Sequence, residues 1–368
     1  MFVIRPVKEG DWKALWHIAN QTGPGFSSLQ PCKESVSKRL NKTLNSFAKK
    51  IRKEDRLYIF CLEDIKTRQL AGVSAIISGL GLDEPWYNFR LNTVVHASQR
   101  FNIFHKVQTL TLCNDYTGCS ELCMLFLLPE YRSLNGIGHL LSKSRFLFLA
   151  AHPYLFNDRI IAEMRGVTDE QGETPFWEAL GRKFMGVDFI EADQALSNNR
   201  SFVIELMPRH TIYMNMLPEN AQRVIGLTHQ ETLPAIKILY NEGFKYRNYV
   251  APFDAGPVLE AYVEDIRAVQ HSFSACVSIT KKPLQFPLCT SQQWLISNKL
   301  FEDYRCIMGR AYASQEAKRV MLTKEQADAL NITEGDYVSM VPVHAGEICE
   351  KPNNNTAIVN KLIRQFTT

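Results

Sequence analysis

Glu121-Leu-Cys-Met-Leu-Phe-Leu-Leu128, closed by Pro129, and the stretch after it, Arg132-Ser-Leu-Asn-Gly136-Ile-Gly138-His-Leu-Leu141, decide the reading of this chain. The first run is apolar at successive positions, so both of its faces are apolar, which is the pattern of a strand inside a sheet covered on both sides. Gly138–Ala151 has apolar positions at helical spacing and is expected to pack on that sheet. Two glycines at the junction let backbone N–H groups approach a ligand, with the positive end of a helix behind them. The junction reads as an anion cradle. It is not a dinucleotide fingerprint, because Leu141 stands where Gly-x-Gly-x-x-Gly needs its third glycine, and the lysine of a nucleotide-hydrolysing loop is absent.

Working outward, residues 1–190 alternate strand and helix. Phe2–Val7, Leu57–Glu63 and Gln69–Ser78 read as strands, the last two joined into a hairpin by the polar Asp64–Arg68. Asp11–Thr22 reads as a helix with Trp12, Leu15, Trp16 and Ala19 on one face, broken by Gly23-Pro24-Gly25. A weak repeat follows. A strand from Arg159 leads into a helix over Pro175–Phe184. Some sixty residues on, a strand ending Val224-Ile-Gly-Leu-Thr-His229 leads into a helix from Pro234, then Gly243-Phe244 and a strand over Tyr246–Tyr249. In both units proline lies near the helix start and glycine near its end. From about Phe273 short apolar runs alternate with turn residues, with a helix over Lys324–Leu330 between strands at Arg319–Leu322 and Tyr337–Val343. The chain thus divides into 1–190, a second related unit at 191–272 packed with the first, a small β-rich region at 273–346, and a polar tail at 347–368.

Composition narrows the function. Apolar residues at 45% and charged residues at 22% are those of an ordinary globular protein, which excludes disorder, collagen and coiled coil for the whole chain. No window approaches the ~18 apolar residues of a membrane span. The opening Met1-Phe2-Val3-Ile4-Arg5-Pro6 reads as a first strand and not as a signal peptide. Nine scattered cysteines without a Cys-x-x-Cys pair read as reduced thiols in the cytoplasm, with no metal cluster and no disulfide framework. A net charge of +4 is too small to argue for nucleic acid. Lys33–Arg56, with nine Lys/Arg against three acids, reads as an amphipathic helix with a solvated basic face; the alternative is a collar for an anionic cofactor's phosphates.

The arginine and the Gly-x-Gly turn after an apolar strand resemble the pyrophosphate loop of the GNAT acyltransferases. Here the spacing is Arg-x-x-x-Gly-x-Gly, one residue longer than the usual loop. Longer words narrow the match. Asp83-Glu-Pro-Trp-Tyr-Asn-Phe-Arg90, Asn114-Asp-Tyr-Thr-Gly118, Leu141-Ser-Lys-Ser-Arg-Phe146, Ala162-Glu-Met-Arg-Gly166, Glu205-Leu-Met-Pro208 and Gly243-Phe-Lys-Tyr-Arg-Asn-Tyr249 resemble the arginine N-succinyltransferase family. The resemblance runs from residue 2 to about 272 and continues more faintly to about 346. It implies an α+β fold, a GNAT-like mixed sheet flanked by helices, with a duplicated GNAT-like unit.

The activity it implies moves succinyl from succinyl-CoA to the α-amine of L-arginine, with succinyl-CoA as co-substrate, no permanently bound cofactor and no metal. Asn135, Gly136, Ile137, Gly138 and His139 are the expected cradle for the CoA pyrophosphate. The resemblance places the acyl-CoA contact on the strand before the loop, at Leu125, through its backbone; the thioester oxygen needs such an N–H as it becomes negative. Among the histidines, His96 lies inside a further such word, Val95-His-Ala-Ser98, and His210 lies just past Glu205-Leu-Met-Pro208. His229 precedes a helix at an expected sheet edge and matches the family's proton donor. Asp115, Glu121, Glu163 and Asp254 are candidates for a guanidinium, and Arg90 and Arg165 for the succinyl carboxylate. The alternatives are ornithine or another amino-acid acceptor, and a non-catalytic partner subunit with the same fold. Partners are small molecules, without nucleic acid or membrane; homo- and hetero-oligomers both stay open.

Overall fold

The computed structural model describes residues 1–23, 25–169, 171–196, 205–280 and 292–344. Its strands form one 16-stranded sheet. Ten come from the first 262 residues: β1 (Phe2–Pro6), β2 (Leu57–Asp64), β3 (Leu70–Ile77), β4 (Asn88–Ser98), β5 (Ile103–Cys113), β6 (Ser120–Leu127), β7 (Arg159–Glu163), β8 (Ile212–Tyr213), β9 (Lys245–Val250) and β10 (Pro257–Tyr262). The rest are β11 (Phe273–Thr280), β12 (Trp294–Ser297), β13 (Cys306–Gly309), β14 (Tyr312–Ser314), β15 (Arg319–Thr323) and β16 (Tyr337–Pro342). Their order is β14-β15-β11-β16-β12-β13-β1-β2-β3-β6-β7-β10-β9-β4-β5-β8. Two neighbouring pairs, β6–β7 and β11–β15, are parallel, and the others antiparallel, so the sheet is mixed.

The helices are α1 (Trp12–Ala19), α2 (Lys33–Phe47), α3 (Ile137–Ala151), α4 (Arg182–Met185), α5 (Phe189–Leu196), α6 (Glu219–Val224), α7 (Leu233–Asn241), α8 (Arg267–Gln270) and α9 (Lys324–Leu330). They explain why β2, β3 and β6 are apolar at successive positions. On one face α3 brings Leu140, Phe146, Phe148 and Leu149 against Tyr58, Phe60, Leu62 and Ile76. On the other, α1 and α2 bring Leu15, Ile18, Val36 and Leu40 against Ile59, Cys61 and Val73. With apolar layers on both sides, β2 is buried at every position but its last.

Three expectations change. Val224–His229 is not a strand. Pro218 precedes α6, which ends at Val224, and Gly226 takes φ +77° and donates its N–H to the Ala255 carbonyl, so the chain turns where it was expected to extend. The basic helix stops at Phe47, short of Arg56, because Lys49 adopts φ +56°. The segment from Pro175 is a turn of π-helix, Trp177–Gly181, continued by α4; Trp177 is fully buried against the bare backbone of Gly181. The proposed tail at 347–368 lies outside the described residues.

Candidate active site

The strand that opened the reading is where the sheet comes apart. β6 and β7 are bridged in parallel only at Ser120↔Ile160 and Glu121↔Ile161. Beyond that, β6 follows β3 while β7 follows β10, and a cavity of about 430 Å³ occupies the gap. Leu122–Leu127 line it from one strand and Ala162–Arg165 from the other side. β6 is also bulged. Cys123 pairs with Ala75 and Phe126 with Val73, so Met124 and Leu125 together oppose Ser74, and Met124 is forced to φ +54°. A bulge releases backbone groups from the ladder. Leu125, without a partner residue of its own on β3, stands on the cavity wall.

The cradle lies at the start of α3. Gly136 is the residue before the helix, at φ +82°, and no side chain caps that end. The first N–H groups of a helix have no carbonyl within it. Gly138 lines the cavity, and a Cβ there would meet nothing within 4 Å. A long anionic ligand therefore has both donors and space. The other cradle residues contribute backbone at most: Asn135 is exposed, Ile137 is buried in the core, and His139 turns its ring edge-on to His344, 4.8 Å between centroids. Burial, with Lys143 nearby, pushes His139 down to about 4. Arg132 lines the cavity with Nε donating to the Leu127 carbonyl (3.1 Å).

His229 sits beside the cavity, between the lining residues Arg165 and Glu231. Its N–H donates to the Arg165 carbonyl (2.9 Å), and its Nδ1 accepts the Glu231 N–H (3.2 Å), which leaves Nε2 to carry the proton of the neutral ring. Burial and then the Arg165 guanidinium lower its pKa, so the ring is neutral at pH 7. His96 and His210 are absent from the cavity wall; His96 lies on the exposed β4–β5 arm against Tyr213.

The charged candidates separate in the same way. Glu121, Glu163, Asp254 and Arg165 line the cavity. Asp115, in the turn after β5, and Arg90 of β4 instead face each other at 3.8 Å, with Arg90 over the Tyr249 ring. Asp254 accepts N–H groups from Gly166 (2.7 Å) and Gly256 (2.9 Å), and burial raises its pKa. Neither glycine tolerates a Cβ, because backbone of the opposing loop lies against it. Glu163 accepts from Trp86 Nε1 (3.1 Å) and Asn88 Nδ2 (2.7 Å). Sequence reasoning missed Trp86, Phe253 and Arg145 as wall residues. The visible signal for Arg145 was a cation at Lys143 and another two positions later in an apolar helix. Arg145 is buried, donates to the Ser142, Ala75 and Cys123 carbonyls, and is pushed down to about 10 by burial. Among the described residues no metal-binding cluster is present, and no helix is long and apolar enough to cross a membrane.

A splayed parallel pair, a bulged strand, an uncapped helix N-terminus and a neighbouring imidazole thus meet around one cavity, an arrangement with the chemical means for acyl transfer. The comparisons give the particular family. The model of the arginine N-succinyltransferase beta subunit matches residues 2–268, and that of its C-terminal domain residues 287–342. Proteins named arginine N-succinyltransferase from Escherichia coli strain 55989 and from Shigella flexneri are each 43% identical over 351 residues, 94% of this chain and 99% of theirs. The solved arginine/ornithine succinyltransferase subunit AI of Pseudomonas aeruginosa superposes with a TM-score of 0.85 at 33% identity, over 94% of this chain and 99% of that one. The chain belongs to the arginine N-succinyltransferase family.

Proposed function

We propose that the chain transfers succinyl from succinyl-CoA to the α-amine of L-arginine. The observation that carries this reading is the coincidence of the β6 bulge, the β6–β7 gap and the open start of α3 in one cavity, within a chain of this family. Succinyl-CoA enters as co-substrate. Its pyrophosphate is held by the backbone from Asn135 to His139, chiefly at Gly136 and Gly138, and its thioester oxygen by the backbone N–H at Leu125. The amine nitrogen attacks the thioester carbon, the C–N bond forms and the C–S bond breaks. The amine sheds one proton and the leaving sulfur gains one. His229 mediates that exchange: the neutral ring takes the amine's proton and, once charged, gives one to the leaving sulfur. Glu121, Glu163 and Asp254 are the acids on the cavity wall from which a guanidinium site would be drawn; Asp254 also holds two backbone N–H groups and Glu163 two side-chain N–H groups.

The first unit, 1–190, is GNAT-like in this reading, with 191–272 a second GNAT-like unit packed on it. The α7–Gly243–β9 succession supports the duplication, and the missing strand before His229 counts against it. A cytoplasmic setting fits the cysteines, all of which are free among the described residues. The family's naming as a beta subunit, and that of the Pseudomonas aeruginosa protein as subunit AI, fit assembly with further chains. The test is thiol release from succinyl-CoA with arginine, ornithine or no acceptor. Acceptor-dependent release with arginine is expected; release indifferent to any acceptor would refute the reading. Ornithine shares arginine's α-amino acid head and is the informative second acceptor.

A further inference from the structure

We propose that Arg165 binds the free carboxylate of the acyl donor and thereby sets the preference for a dicarboxylic acyl group over a neutral one. The inference rests on the acyl-transfer reading above and adds to it the group that reads the acyl chain.

Register comes first. From the last bridged pair, Glu121↔Ile161, Leu125 and Arg165 each stand four residues further along, Leu125 one step less in height because of the bulge, and both line the cavity from either side of the gap. Arg165 thus faces the acyl site at about the height of the backbone assigned to the thioester oxygen. In a succinyl group three C–C bonds of ~1.5 Å carry the carboxylate carbon about 4 Å from the thioester carbon. That is a short step across a cleft, and an arginine side chain spans what remains.

The donor inventory agrees. Arg165 Nε is buried and has no hydrogen-bond partner. Nη2 donates to Thr168 Oγ1 at 3.1 Å, and Nη1 reaches Glu231 at 3.4 Å, whose side chain is 60% exposed. An exposed carboxylate at that distance is a replaceable partner. Gly25 lies against the arginine stem, where a Cβ would come within 3.1 Å of Nε, so the loop holds the side chain in place. The other cations are differently occupied. Arg90 is off the cavity, Arg145 is spent on carbonyls, and Arg132 stands at the pyrophosphate loop. Arg39 also lines the cavity and is the rival.

The experiment compares kcat/KM for succinyl-CoA with that for butanoyl-CoA, which has the same chain length and a methyl in place of the carboxylate, at saturating arginine. The wild-type chain should prefer succinyl-CoA, and in Arg165→Met that ratio should fall by roughly 10- to 100-fold, the value of a charge-assisted hydrogen bond, with the KM for arginine little changed. Arg165→Lys keeps the charge without the planar fork and should lie between; it also decides the matter if the methionine variant does not fold. An unchanged ratio in both variants would overturn the inference. So would an equal loss with both donors and a raised KM for arginine, which would put Arg165 on the acceptor's carboxylate, or a collapse of the ratio in Arg39→Met alone. If the wild-type chain releases no thiol with succinyl-CoA and arginine, the acyl-transfer reading itself fails and takes this inference with it.

Discussion

Gly138→Val should damage binding of succinyl-CoA while leaving the fold intact, and Gly136→Val should damage both. The two glycines are a single residue apart but differ physically. Gly138 has helical backbone, borders the cavity and has nothing within 4 Å of a would-be Cβ. A Cβ there meets no protein atom within 4 Å, and valine has a helix propensity at least as good as glycine's, so stability should hold within about 0.5 kcal/mol. Its methyl groups would occupy the space of the incoming phosphate. Each lost hydrogen bond between a backbone N–H and a charged oxygen is worth ~1.5–3 kcal/mol, so the KM for succinyl-CoA should rise roughly 10- to 100-fold per bond. The KM for arginine should barely move. Gly136 sits at φ +82°, where a side chain costs about 1–2 kcal/mol, and its Cβ would strike Met308 Cε. Initial-rate kinetics against each substrate, with thermal unfolding of the same preparations, separates the effects. A Gly138→Val enzyme with normal stability and a normal KM for succinyl-CoA would refute the cradle.

His229→Ala should lower kcat by ~10²–10⁴-fold with small changes in KM, as expected for a lost proton-transfer group; His96→Ala and His210→Ala, away from the cavity, should cost far less. The wild-type kcat–pH profile should also lose a limb in this variant. Burial and Arg165 both disfavour the charged ring, so that limb lies below the ordinary 6.5, and lowering the pH through it charges the imidazole. Glu242→Gln should destabilise by ~3–5 kcal/mol, read as a fall in denaturant midpoint, because it removes the charge partner of the buried Lys143 and the half-buried Arg267, which Glu242 now holds at 2.9 and 2.7 Å; wild-type stability in that variant would show the cluster to be unimportant.

The central fold was legible because burial on both faces writes an unmistakable pattern. β2, β3, β6 and α3 carry continuous or helically spaced apolar residues, and their limits fall within a residue or two of those expected. The β4–β5 arm was not assigned. Its outer half is solvent-exposed on both faces, around His96 and His105, so no alternation of polar and apolar residues marks it. The strand expected before His229 failed for the opposite reason: Val224, Ile225 and Leu227 look extended, but a single glycine at positive φ turns the chain. At the site, the Gly-x-Gly turn and the histidine were visible as residue types. The bulge that frees the Leu125 backbone was invisible, because it depends on β3 and β6 being out of step by one residue, which neither strand's sequence records alone.

The position of α3 connects the cradle to the last third of the chain. The helix start is the anion site proposed above, and its middle carries Lys143, paired with Glu242 and donating to the Val343 carbonyl. Glu242 follows α7 and also holds Arg267 of α8, whose guanidinium reaches the Pro342 carbonyl at 3.1 Å. Tyr304, fully buried, donates to the Ser144 carbonyl at 2.7 Å, and Met308 of β13 lies against Gly136. Thus residues beyond 300 touch α3 at its start, its middle and through its partners. Buried charges tolerate little displacement, because a cation moved from its carboxylate is left uncompensated in a low-dielectric interior. A helix fixed in this way holds its first N–H groups where they stand, which is what a preorganised anion site requires. The β-rich region is joined to the first 262 residues through β13 and β1 as one sheet, and so helps to hold α3, whose N-terminus is the phosphate site proposed above.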